Sequence, residues 1–317
     1  MRNKLYTISV VVPCYNEALN IPYLLAKLNE CLTGISHEII LVDDGSTDSS
    51  AEVLSEIALK TDNLFYLGFS RNFGHQPALK AGIDHAQGDA VITIDADLQQ
   101  PPELILKMIK EWEKGADIVE CMRIDNKNAK WVKRITANSF YRILGWLADV
   151  PVSKGVSDFR LIDRSVADNL RTITEQPLYL RGIISWMGYP KATIEYLPAR
   201  RFSGKTKYTP GKMFTLAASG ITSLSIKPLR AALLAGACIS ALAFAYGLYA
   251  LYIALFTLKT VTGWTSTIIS VLLLSGIQLL VLGIMGEYIG KMFLENKRRP
   301  PYIIHYTNIK KIIMPPD

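Results

Sequence analysis

From Leu5 to Cys121 short apolar runs alternate with segments whose apolar side chains recur every three or four positions. Leu5–Val12 is β-rich and stops at Pro13, which marks a buried strand. Ile21, Leu24, Leu25, Leu28 and Leu32 then share one helical face. Glu38–Val42 is a second strand, followed by a helix to about Lys60 that Asp48 or a neighbouring hydroxyl can cap. Leu64–Phe69 is a third strand and Ala78–Ala86 a helix. Ala90–Ile94 is a fourth strand, Pro101-Pro102 opens a helix to Lys114, and Asp117–Cys121 is a further strand. This alternation predicts right-handed βαβ units and a mostly parallel sheet. Ligands of such sheets bind at the carboxyl ends of the strands.

Beyond residue 121 the pattern changes twice. Residues 123–134 are polar and basic and read as a loop. Residues 135–147 are amphipathic, with Phe140, Tyr141, Leu144 and Trp146 among Arg134 and Arg142. Such a helix packs either on its own domain or on a membrane surface. Neither 231–258 nor 260–286 carries a charged side chain, and each exceeds the roughly 20 residues that cross a hydrocarbon core. With Lys259 alone between them, the two spans predict a hairpin whose soluble ends lie on one side. Lys227, Arg230, Lys291, Lys297, Arg298 and Arg299 flank that side, which the positive-inside rule makes cytoplasmic.

Composition sharpens this picture. Half of the 317 residues are hydrophobic, and the excess is concentrated in the two spans. The net charge of +7 comes with no recognisable nucleic-acid motif, so lipid headgroups and phosphates are the expected anionic partners. Cys14, Cys31, Cys121 and Cys238 show no paired spacing and read as reduced thiols. His37, His75, His85 and His305 form no cluster and read as structural or surface residues. The run Ile8–Val12 is too short for a signal peptide, so export of the first domain is not expected.

Candidate chemistry sits at the strand ends. Pro13-Cys14-Tyr15-Asn16-Glu17 closes the first strand, where Pro13 fixes the chain, Tyr15 offers a stacking face and Glu17 an acceptor. Asp43-Asp44-Gly45-Ser46-Thr47-Asp48 closes the second, with carboxylates able to accept from a base or ribose. Asp95-Ala96-Asp97-Leu98-Gln99 closes the fourth, and two hard carboxylates two residues apart suit Mg²⁺ or Mn²⁺. Gly155-Val156-Ser157-Asp158-Phe159-Arg160-Leu161 places a lone acid beside an arginine, by spacing alone a surface ion pair or a site. Arg200-Arg201-Phe202-Ser203-Gly204-Lys205-Thr206-Lys207-Tyr208 is a basic loop that suits phosphate or simply flanks the membrane.

Taken together, these motifs, with Phe159-Arg160-Leu161 and Gly286-Glu287-Tyr288-Ile289-Gly290, resemble the family 2 polyprenyl-phosphate glycosyltransferases, relatives of dolichol-phosphate mannose synthase. Ser70-Arg71-Asn72-Phe73-Gly74, Gly182-Ile183-Ile184-Ser185-Trp186 and Arg299-Pro300-Pro301-Tyr302-Ile303-Ile304 resemble the bactoprenol glucosyltransferase branch. The resemblance implies an α/β GT-A catalytic domain over 1–208, a juxtamembrane amphipathic helix over 209–228, transmembrane helices over 229–258 and 262–289, and a basic cytoplasmic tail over 290–317. It implies inversion at the sugar and a divalent metal, Mg²⁺ or Mn²⁺, held by Asp97 with Asp95 and Gln99 near it. Pro13, Tyr15, Glu17, Asp44 and Asp95 are then expected at the nucleotide-sugar. Asp158 falls at the catalytic acid/base position, where it orients the acceptor or takes its proton. Arg160, Arg201, Thr206 and Lys207 are expected at phosphate. Lys205 departs from the pattern, since relatives often carry an acid there. The implied reaction moves a sugar, best glucose from UDP-glucose, onto undecaprenyl or another polyprenyl phosphate at the cytoplasmic face of the membrane. GDP-mannose, UDP-N-acetylglucosamine and a modified arabinose donor remain alternatives, as does an inactive membrane scaffold. A processive polysaccharide synthase fits less well, because Gln-x-x-Arg-Trp is absent. A homo-oligomer packed through the spans is compatible with two helices per chain.

Overall fold

A computed structural model describes residues 5–124, 156–176, 178–198, 225–256 and 263–310. One eight-stranded sheet organises the soluble part. Its strands are β1 (Thr7–Cys14), β2 (Ser36–Asp43), β3 (Leu64–Phe69), β4 (Ala90–Thr93), β5 (Ile118–Arg123), β6 (Val156–Asp163), β7 (Lys191–Tyr196) and β8 (Ile304–Thr307). Their order across the sheet is β7-β5-β6-β4-β1-β2-β3-β8. β4, β1, β2 and β3 run parallel, joined by α1 (Ile21–Cys31), α2 (Ser50–Ala58) and α3 (His75–His85). β6 runs antiparallel to both β4 and β5, and β5 pairs parallel with β7. The mostly parallel α/β sheet expected from the alternation, the GT-A architecture, is therefore present, and most element ends fall within a few residues of the sequence reading.

The period-two pattern of the strands explains its two covered faces. Ile8, Val10 and Val12 of β1 point into one core with α1, α2 and α4 (Leu104–Glu113). Val11 points into the other, with α3, α5 (Arg164–Arg171) and α6 (Leu180–Trp186). α3 lies so close on β1 that a Cβ on Gly82 would sit 2.1 Å from Val11 Cγ1. Only glycine permits that approach.

Two long helices follow, α7 (Lys227–Phe256) and α8 (Trp264–Asn296). Lys227–Tyr249 and Leu273–Asn296 are long and apolar enough to cross a membrane, and their side chains are mostly exposed, unlike those of a core helix. Tyr288 Oη donates to the Ser225 carbonyl at 2.6 Å, so the soluble ends of the two helices adjoin. Helix continues to Asn296, past the expected end at 289. The expected tail likewise begins as helix and then returns to the sheet: Ile304–Thr307 pairs antiparallel with β3. The loop at 125–134, the segment 135–147 and the basic loop from Arg200 to Tyr208 lie outside the described residues.

Candidate active site

Topology decides which strand ends meet. β6 pairs antiparallel with β4, with Thr93 opposite Arg160, so the end of β4 lies beside the start of β6. Asp95 and Asp97 leave the first of these strands as Asp158 enters the second. The start of α3 brings His75 between them: its Nε2 is 3.5 Å from Asp95 Oδ1 and 3.4 Å from Asp158 Oδ2. Arg181, in the first turn of α6, closes the group with a two-point grip on Asp158. Its Nε and Nη2 donate to Oδ1 and Oδ2, each at 2.8 Å. Gln76 adds a donor to Asp158 Oδ2 at 3.3 Å.

Asp158 is only 6% exposed, so it is no surface ion pair. Burial by itself raises a carboxyl pKa, but Arg181, His75 and Arg160 outweigh it and hold Asp158 well below its ordinary value. The group is a fixed anion. Arg160, expected at phosphate, is instead 2% exposed and faces inward. Its Nη2 donates to the Ser157 carbonyl at 3.1 Å and lies 3.5 Å from Asp158 Oδ1, while Nη1 lies 3.9 Å from Glu120. The nitrogen-bearing side chains that reach the surface of this group are His75 and Arg181, 38% and 41% exposed. The reading of His75 as a structural or surface residue did not place it between Asp95 and Asp158. Its signal lay in the Ser70–Gly74 motif that it directly follows, as Arg181 directly precedes Gly182–Trp186. No spacing rule links positions 75, 158 and 181.

The Asp-x-Asp turn is built by Gln100 and Leu98. Gln100 Oε1 accepts from the Asp95 backbone at 2.8 Å while its Nε2 donates to Asp95 Oδ2 at 2.5 Å. Leu98 takes φ 60°, an uncommon conformation for a branched side chain and one that gathers at functional turns. Gln99 donates its backbone N–H to Asp97 Oδ1 at 3.1 Å. Desolvation, with the charges of Asp158 and Asp97, raises the Asp95 pKa against the pull of His75. Two mutually repelling hard carboxylates fit a divalent cation. Among the described residues no third His, Cys, Asp or Glu completes a cage, so ligand or water oxygens would have to fill the shell.

The other expected nucleotide residues fall into two groups. Tyr15 and Glu17 stand half-buried after β1, with the Glu17 carboxylate accepting from Asn20. Pro13 and Asp44 shape the site from inside. Pro13 is buried in β1 opposite Val42. Asp44 is 5% exposed, and its oxygens accept backbone N–H groups of Phe73 at 2.7 Å and Gly74 at 2.9 Å. It ties the β3–α3 loop, and hence His75, to the end of β2. Arg201, Thr206 and Lys207 lie outside the described residues.

Comparison with known proteins adds an independent line. Residues 9–171 match the family described as Glycosyl transferase family 2. A Bacillus subtilis protein named uncharacterized glycosyltransferase YkcC is 45% identical over 93% of this chain and 92% of its own length. A prophage bactoprenol glucosyl transferase homolog of Escherichia coli is 40% identical over 94% of this chain and 98% of its own. The bactoprenol glucosyl transferase of Shigella phage SfV is also 40% identical, over 94% of this chain and 97% of its own.

Proposed function

Because the chain belongs to glycosyl transferase family 2 and is a transferase, we propose that it moves a sugar from a nucleotide-sugar, best UDP-glucose, onto a polyprenyl phosphate at the cytoplasmic membrane face. The observation that carries this reading is the meeting of Asp95, Asp158, His75 and Arg181 at one cleft, in a chain with two apolar helices. The names of the relatives support the acceptor class and glucose.

The acceptor phosphate attacks the anomeric carbon from the face opposite the departing nucleoside diphosphate, and the bond from that carbon to the diphosphate oxygen breaks. A phosphate monoester has a second pKa near ~6 and is mostly dianionic at neutral pH, so it needs little help from a base. Asp158, held ionised by Arg181, is too weakly basic to supply much. Its work is to orient the Arg181 guanidinium and the His75 imidazole, the exposed donors that receive phosphate oxygens. Tyr15 and Glu17 hold the nucleotide. Asp97, with Asp95 and Gln99 beside it, would hold the divalent cation, Mg²⁺ or Mn²⁺, which when bound neutralises charge on the leaving diphosphate. Alignment and charge stabilisation account for most of the barrier reduction.

A polyprenyl carrier stays in the bilayer, so the cleft must come to the membrane. β8, after both apolar helices, pairs with β3, before them, which supports a hairpin with both soluble ends on one side. The basic flanks Lys227, Arg230, Lys297, Arg298 and Arg299 support the cytoplasmic side. The test is incubation of membranes holding the protein with a panel of labelled UDP-glucose, UDP-N-acetylglucosamine and GDP-mannose, followed by solvent extraction. A labelled, metal-dependent phospholipid-like product from UDP-glucose is expected. Label from another donor would change the sugar, and no lipid product from any donor would sink the reading.

A further inference from the structure

The chain returns from the second apolar helix to close the sheet beside the donor loops. β8 adds to β3 with Tyr306 opposite Gly68. A Cβ on Gly68 would lie 2.0 Å from Tyr306 Cζ, so the ring rests directly on the strand backbone. Several side chains of this segment reach into the domain, and three of them bond groups in different places. Tyr302 Oη donates to Asp84 at 2.9 Å, behind the sheet, where Asp84 also pairs with the buried Lys80. Asn308 donates to the Leu64 carbonyl at 3.0 Å and accepts from the Tyr66 N–H at 2.8 Å. Tyr306 Oη donates to Asp43 Oδ2, in the loop that ends β2.

That last bond starts a chain. Asp43 Oδ1 accepts from the Ser46 N–H at 3.0 Å and from the Ser46 hydroxyl. The same hydroxyl oxygen accepts from the Asn16 N–H at 2.9 Å. Asn16 Oδ1 in turn accepts from the Thr47 N–H at 2.8 Å. These bonds hold Asn16 at φ 57°, between Tyr15 and Glu17. The Asn16 N–H, the Ser46 hydroxyl and Asp43 run head to tail, so those two bonds polarise one another, while Tyr306 fixes the other oxygen of the same carboxylate and with it the orientation of Asp43.

We propose that Tyr306 is a positioning residue for the nucleotide-sugar. The strand that follows the membrane hairpin sets the geometry of the β1–α1 and β2–α2 loops, and donor affinity depends on it. The inference rests on the reading that these loops hold the nucleotide. A purely structural staple would act equally through Tyr302, Asn308 and Tyr306.

Full-length Tyr306→Phe, Tyr302→Phe, Asn308→Ala and Ser46→Ala are compared with wild type in lipid nanodiscs. The assay uses undecaprenyl phosphate and UDP-glucose, or whichever donor of the panel wild type turns over. Tyr306→Phe should raise the KM for the nucleotide-sugar about fivefold and weaken binding of the free nucleoside diphosphate equally, with kcat and the acceptor KM within about twofold. Ser46→Ala breaks the same chain one link further on and should do the same, which covers a Tyr306 variant that folds poorly. Tyr302→Phe and Asn308→Ala should lower the melting temperature and leave the donor KM alone. A wild-type donor KM in both Tyr306→Phe and Ser46→Ala overturns the proposal. So does an equal rise in all four variants, which is general loosening. If wild type binds no nucleoside diphosphate and uses no donor, the functional reading fails first and takes this inference with it.

Discussion

In the proposed mechanism Asp97 and Arg181 do opposite kinds of work, and substitution separates them. Asp97→Asn keeps shape and removes the charge that a divalent cation needs, so turnover should fall about a hundredfold or more while the melting temperature holds. Near-normal transfer with Mg²⁺ or Mn²⁺ would remove Asp97 from the metal site. Arg181→Lys replaces a planar fork, bonded to both oxygens of Asp158, by a point charge. Turnover should drop at least about tenfold, roughly 1.4 kcal/mol, with nucleotide affinity unchanged. Wild-type kinetics would show that charge alone suffices. His85 offers a pH test away from the cleft. It is 3% exposed and hydrogen-bonded through Nδ1 to the Ala81 carbonyl at 2.8 Å. Burial, the largest cause, lowers its pKa from the ordinary 6.5. The unfolded chain therefore takes up the proton first, and stability present above pH 6.5 is lost as pH falls from there towards the folded value. Thermal melts should show a fall below about pH 6.5 that is shallower in His85→Gln than in wild type.

At the scale of elements, the C-terminal segment changes what a truncation does. The apolar helices look separable from the polar domain in sequence, as though cutting near Lys227 would release it whole. Yet Tyr302 is 3% exposed within the α3 face of the core and stacks on Phe69, with centroids 5.3 Å apart. Its loss forfeits roughly 1.5–3 kcal/mol of burial and bares the β3 edge. A chain ending near Lys227 should melt at least about 5 °C below one in which a Gly/Ser linker replaces both helices and keeps residues 299–310. Equal melting temperatures would show that β8 is dispensable. The element ends themselves were legible, because strand and helix periods write themselves into apolar spacing. The partner of a four-residue edge strand such as Ile304–Thr307 was not, since so short a run has no register without its neighbour.

For the whole molecule, the proposed hairpin with cytoplasmic ends requires Lys259 to face the far side of the bilayer. Lys259→Cys should therefore react with a membrane-impermeant maleimide in intact cells, while wild type, with Cys14, Cys31 and Cys121 in the catalytic domain and Cys238 within the first apolar helix, should not. Labelling of Lys259→Cys only after lysis would overturn the orientation.

The sequence by itself determined the family, the α/β alternation, the two long apolar helices and the acidic strand ends. Each is written in contiguous residues, where period, composition and turn chemistry act locally. Tertiary structure alone decided which of those residues share a cleft. The antiparallel turn of β6 against β4 carries Asp158 to Asp95, and the tie from Asp44 to the Phe73–Gly74 backbone carries His75 between them. It also turned Arg160 inward, left Arg181 partly exposed beside Asp158, and bonded Tyr306 to Asp43 at the end of β2. Those outcomes depend on strand pairing and on side-chain bonds between residues up to 263 positions apart, and a charge has no address until the backbone that carries it is paired.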